Sequence, residues 1–196
     1  LWENKMLVCI TGKSGVGKTT ATQYIKKLGF NTWIADEYVH EIYQYGNIGY
    51  LAIKKAFGNK YVNSKEVDRK KLGLLVFNDI KSLKKLNEIT LPLIKNKLLE
   101  LKQKNTLIFC ELAIYINHEN YFKNVFDKII LISAPKTLEK DNLKNKFGSL
   151  RKFPTKRVGS LKNPIKNNTI KYDFCVDNSE NINIFQNNIK KITHKI

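Results

Sequence analysis

The sequence predicts a doubly wound α/β fold, a parallel sheet with helices on both faces, and three observations lead there. Short apolar runs of strand length alternate with longer segments of helical periodicity. The runs are apolar at consecutive positions, as strands buried on both faces require. The first run, MLVCI, leads through the glycine-rich turn GKSGVGKTT into ATQYIKKLGF, whose apolar residues recur at helical spacing.

Five strands are expected, at MLVCIT (6–11), TWIA (32–35), TLIFC (106–110), KIILIS (128–133) and YDFCVD (172–177). Helices fit residues 18–28, 36–45, 48–57, 68–103 with a break near Pro92, 136–147 and 180–194. Two segments fall outside the alternation. The almost wholly helical stretch 37–104 is far longer than one crossover helix needs and reads as an inserted substrate-binding region. The stretch 137–169 is polar, rich in Lys and Arg and broken by Gly and Pro, and reads either as a phosphate-covering lid or as a solvated basic hairpin. The remaining residues, 1–36, 105–136 and 170–196, form the core.

With 196 residues, 42% of them hydrophobic, the chain can bury one sizeable core with inserts. The net charge of +18 predicts acidic partners, and it does not choose among nucleotides, phosphorylated small molecules, nucleic acids and membrane surfaces. Cys9, Cys110 and Cys175 lie in apolar runs at wide spacing, and they are expected as buried thiols in a reducing compartment. No run approaches the length of a membrane span and no signal-peptide pattern opens the chain, so the expected location is the cytoplasm. Met6 is the expected natural start, five residues after Leu1.

The turn itself carries the strongest chemical signal. Gly12, four intervening residues, then Gly17, Lys18 and Thr19 fit G-x-x-x-x-G-K-[ST], the P-loop pattern, in its required place between strand and helix. Such a loop turns successive N–H groups inward to form an anion cradle at a helix N-terminus. Gly12, Lys13, Ser14, Gly15, Val16, Gly17, Lys18, Thr19 and Thr20 are therefore expected to hold a nucleoside triphosphate. Lys18 would reach its β- and γ-phosphates, and the Thr19 hydroxyl would meet a bridging Mg²⁺.

Candidate partners for that loop sit at strand ends. Asp36 follows the second strand run, where it reads either as an acceptor for the proton of an attacking hydroxyl or as the N-cap of the next helix, with Glu37 beside it competing for the role. Glu111 follows the third run, where P-loop enzymes place a carboxylate that holds Mg²⁺ through water. Arg69, Arg151 and Arg157 stand out in a lysine-rich chain, because guanidinium matches phosphate bidentately. His40, His118 and His194 have no partner at metal or triad spacing and read as structural or solvated. Phe57, Tyr61 and Phe77 lie in the helical insert, where aromatics more often build a core than a ligand platform.

Three stretches resemble the dephospho-coenzyme A kinase family: ITGKSGVGKTTATQYIKKLGFNTWIADEYVHEIY, VDRKKLGLLVFNDIKSLKKLNEITLPLI and the closing YDFCVDN. The resemblance implies a five-stranded parallel P-loop nucleoside-triphosphate-hydrolase-like core with a helical acceptor-binding insert and a lid. The implied reaction is ATP-dependent phosphorylation of the ribose 3′-hydroxyl of dephospho-CoA. Carried over, Asp36 accepts the hydroxyl proton, Lys18 and Thr19 meet ATP and Mg²⁺, and Arg157 is a lid arginine of the catalytic group. Arg69, Phe77, Glu111 and Asp36 fall to the acceptor, and Thr19 with Glu111 to the metal. The implied partners are small molecules, neither nucleic acid nor membrane. The sequence departs from the family pattern at Glu111 and Ala113, where Asp and Pro are usual, at Leu91 before Pro92, where His is usual, and at Lys140, Lys144 and Lys146, where lid arginines are usual. A second small-molecule P-loop kinase, or a P-loop protein that binds nucleotide without transfer, would share the loop; the N-K-x-D guanine signature is missing.

Overall fold

The computed structural model describes residues 5–147 and 170–196, which fall into two compact units. In the first unit, β1 (Met6–Thr11), β2 (Asn31–Ile34), β3 (Leu107–Glu111), β4 (Lys128–Ser133) and β5 (Phe174–Asp177) form one sheet in the order β2-β3-β1-β4-β5. Every pairing is parallel, and Val8 stands opposite Phe109 on one side and Lys128 on the other. This is the doubly wound α/β sheet that the apolar runs predict. Because β1 lies between β3 and β4, the chain leaves it toward one edge and later crosses to the other. The carboxyl end of β1 is thus the switch point of the fold, where open α/β sheets bind their ligands.

Strand alternation sends Val8 and Ile10 to one face, where they join Phe109, Ile130, Ile132 and Val176. Ala21 and Ile25 of α1 (Lys18–Lys27) and Phe185 and Ile189 of α7 (Ile182–Thr193) close over them. Both helices place apolar residues at i and i+4, one stripe each. Asn181 caps α7 by accepting from the Asn183 and Ile184 N–H groups at 3.0 and 3.1 Å. On the other face Leu7, Cys9, Ile108 and Cys110 are buried as well. α6 (Lys136–Phe147) follows β4.

The second unit holds α2 (Ala35–Ile42), α3 (Ile48–Phe57), α4 (Arg69–Asn78) and most of α5 (Ile80–Lys102) around a separate core of Ile42, Tyr43, Tyr50, Ile53, Val67 and Leu72. α2 stops at Ile42, short of the expected end at 45, because the chain turns into bridges: the Val67 N–H donates to the Tyr43 carbonyl and the Tyr45 N–H to the Lys65 carbonyl.

Three further expectations need correction. The break in the long helical stretch falls at Asp79, not near Pro92, which sits inside α5. Asp79 is extended and accepts from the Lys81 and Ser82 N–H groups and the Ser82 hydroxyl, which caps a new helix. Proline in a helix interior costs about 3 kcal/mol, and burial of Leu91, Ile94, Leu98 and Leu101 along one stripe of α5 outweighs it. Cys175 is exposed rather than buried, because β5 is an edge strand that buries only Val176. Finally, Asp36 is the second residue of α2, inside its first turn and not at its cap.

Candidate active site

The loop after β1 occupies the switch point. Thr11 ends the strand fully buried, and its hydroxyl donates to the Leu112 carbonyl at 3.0 Å, which ties the exits of β1 and β3 together. The loop then closes through Gly17, left-handed at φ 99°, whose carbonyl accepts from the Ala21 N–H to start α1. The first turn of α1 holds no acidic residue and no side chain caps it, which suits an anion at its amide groups and dipole. Lys18 is buried and folds back over the loop, its Nζ donating to the Lys13 carbonyl at 2.7 Å.

Thr19 and Glu111, 92 residues apart, meet here: the Thr19 hydroxyl donates to Glu111 Oε1 at 3.0 Å. Glu111 is the last residue of β3, registered against Ile10 and Ile34, and it is buried. A hydroxyl and a carboxylate side by side form an all-oxygen donor set beside the anion cradle, which suits a hard divalent cation such as Mg²⁺ better than a thiophilic one. Among the described residues no cluster of three His, Cys, Asp or Glu offers a competing metal site.

The outer side of the loop is held by residues that spacing does not reveal. Glu139 of α6 pairs with Lys13 at 3.8 Å, and Asn142, one turn on, donates from Nδ2 to the Gly15 carbonyl at 2.7 Å. Asn178, directly after β5, donates from Nδ2 to the Val16 carbonyl at 3.0 Å. Side-chain bonds to a backbone carbonyl across such separations leave no sequence pattern; the Asp-Asn end of the closing strand run is the one available hint.

In the second unit, Asp36 and Glu37 lie exposed in the first turn of α2. Arg69 is the first residue of α4, after Asp68, whose side chain accepts from the Lys71 N–H at 3.0 Å. The Arg69 charge acts on the Tyr43 hydroxyl, which shares a 3.0 Å hydrogen bond with Thr90, although burial prevails and holds the Tyr43 pKa above its ordinary value. Phe77 is half-buried near the end of α4. Arg151 and Arg157 lie outside the described residues.

The dephospho-CoA kinase family model matches residues 6–182, nearly the whole chain. A dephospho-CoA kinase of Mycoplasma genitalium is 38% identical over 168 residues, covering 81% of this chain and 84% of that one. Two solved structures share the fold. A Thermus thermophilus protein superposes with a TM-score of 0.75 at 20% identity, covering 97% of each chain. A dephospho-CoA kinase from Campylobacter jejuni superposes with a TM-score of 0.59 at 23% identity, covering 96% of each.

Proposed function

The chain belongs to the dephospho-CoA kinase family, and on that premise we propose that it transfers the γ-phosphoryl group of ATP to the ribose 3′-hydroxyl of dephospho-CoA. The observation that carries the reading is the complete P-loop at the switch point with Glu111 hydrogen-bonded to Thr19. In the transfer, the 3′-oxygen bonds to the γ-phosphorus, the bond from that phosphorus to the β,γ-bridging oxygen breaks, and the hydroxyl proton leaves. Little covalent chemistry falls to the protein, so positioning and charge neutralisation do most of the catalysis.

The loop amides and the N-terminus of α1 hold the triphosphate, and Lys18 exchanges its bond to the Lys13 carbonyl for the β- and γ-phosphates. Thr19 and Glu111 would hold Mg²⁺, which neutralises charge on the phosphates when bound. Asp36 takes the hydroxyl proton; its support is its place two residues past the end of β2 and its exposed carboxylate. Arg69, Phe77 and the second unit, Ala35–Leu99, serve the acceptor, and the Arg157 guanidinium pairs with the phosphates. Cytoplasmic location fits these small-molecule substrates, and no helix among the described residues is long and apolar enough to cross a membrane.

The test is ADP release, coupled to a reporter enzyme, across dephospho-CoA, adenosine, deoxythymidine and shikimate. Turnover with dephospho-CoA alone is expected; equal turnover with another acceptor would reassign the enzyme among small-molecule P-loop kinases.

A further inference from the structure

We propose that Asn142 and Asn178 are positioning residues of the phosphate cradle, each fixing one peptide plane of the P-loop from behind. The inference rests on the reading of this loop as the nucleotide-phosphate site. In a trans peptide the C=O and the following N–H belong to one plane and point in opposite directions. The Gly15 carbonyl is bonded to Asn142, so the Val16 N–H is directed away from α6. The Val16 carbonyl is bonded to Asn178, so the Gly17 N–H is directed away from that side chain. Two consecutive amides are thereby oriented before any phosphate arrives, which removes part of the ordering cost of binding.

The two donors come from separate elements, and each is itself fixed. Asn142 lies one turn beyond Glu139, whose pairing with Lys13 holds α6 against the loop. The Asn178 N–H donates to the Ser133 carbonyl at 2.8 Å, and the Ser133 hydroxyl donates to Asp177 at 2.9 Å, which anchors the segment to the ends of β4 and β5. The same residues press on the loop glycines. A Cβ on Gly15, where φ is 85°, would stand 2.6 Å from the Glu139 carbonyl oxygen, and one on Gly17 would stand 2.6 Å from Asn178 Nδ2. Glycine there meets both the positive φ and the close approach of the clamp.

The experiment compares wild type with Asn142→Leu, Asn178→Leu, their double variant and the two Asn→Gln variants. It reads ADP affinity by calorimetry and KM for ATP and for dephospho-CoA. Leucine keeps the approximate shape and removes the donor. Each single leucine variant should weaken ADP binding and raise KM for ATP by roughly three- to tenfold, the size of one ordinary hydrogen bond, while glutamine recovers part of the loss. KM for dephospho-CoA should stay near wild type. Unchanged ADP affinity in the double variant overturns the proposal, as does an equal rise in both KM values with glutamine no better than leucine. Should a leucine variant not fold, wild type decides: through-hydrogen-bond scalar coupling from each Asn carboxamide nitrogen to the Gly15 or Val16 carbonyl carbon should persist with ADP bound, and its absence overturns the proposal. ADP binding needs no particular acceptor. Weakened ADP binding in the variants, with no wild-type turnover of dephospho-CoA, would therefore count against the acceptor alone.

Discussion

Lys18 and Asp36 divide the proposed chemistry between phosphate charge and hydroxyl proton, and substitutions separate the two. Lys18 is buried against the loop, so Lys18→Ala removes a side-chain cation held at the cradle. Steady-state kinetics should show kcat lower by ~10²-fold or more, as for loss of a comparable electrostatic group; retention of about a tenth of kcat would remove the loop from catalysis. Asp36→Asn keeps shape and loses basicity. If Asp36 accepts the proton, kcat should fall by roughly 10²–10⁴-fold while ATP affinity and melting temperature barely change. An N-cap would tolerate Asn, but Asp36 lies inside the first turn of α2, where its charge favours the helix dipole modestly. Near-normal kcat would shift suspicion to Glu37 or Glu111. The P-loop and Glu111 were legible because one is contiguous and the other obeys a strand-end rule. Asn142 and Asn178 were not, because a carboxamide bonded to a distant carbonyl has no spacing to read.

Among elements, the five strands were legible from runs apolar on both faces, while the helical stretch 68–103 misled. Proline suggested a break that tertiary burial overrode, and the actual boundary is set by Asp79 and its bonds to Ser82. Those bonds hold the Asp79 carboxyl below its ordinary range, the Ser82 hydroxyl contributing most. The sign follows: a depressed folded pKa gives stability that is present above the unfolded carboxylate range and lost as pH falls through the folded value. Asp79→Ala should therefore lower the melting temperature near neutral pH and reduce its drop toward acid, as read by thermal melts across pH; parallel melting curves for variant and wild type would contradict this. Edge position decides the cysteines in the same way. Burial pushes the Cys9 thiol well up and leaves Cys110 equally inert, whereas Cys175 on β5 is exposed. A thiol-reactive dye should label Cys175 in the native protein and all three cysteines after denaturation; native labelling of Cys9 or Cys110 would contradict the buried core.

For the whole molecule, charge and architecture speak to different questions. The net charge of +18 agrees with anionic substrates and selects none of them. The parallel sheet places one anion cradle at its switch point, and the same arrangement serves many acceptors on related folds. What narrows the acceptor is family membership along nearly the whole chain, including the second unit, Ala35–Leu99. The most direct measurement is the position of the new phosphate. Protein incubated with ATP and dephospho-CoA should yield ADP and a product whose new ³¹P resonance is a monoester coupled to the ribose H3′. A phosphate coupled to H2′ instead, or ATP turnover that leaves dephospho-CoA unmodified, would contradict the account.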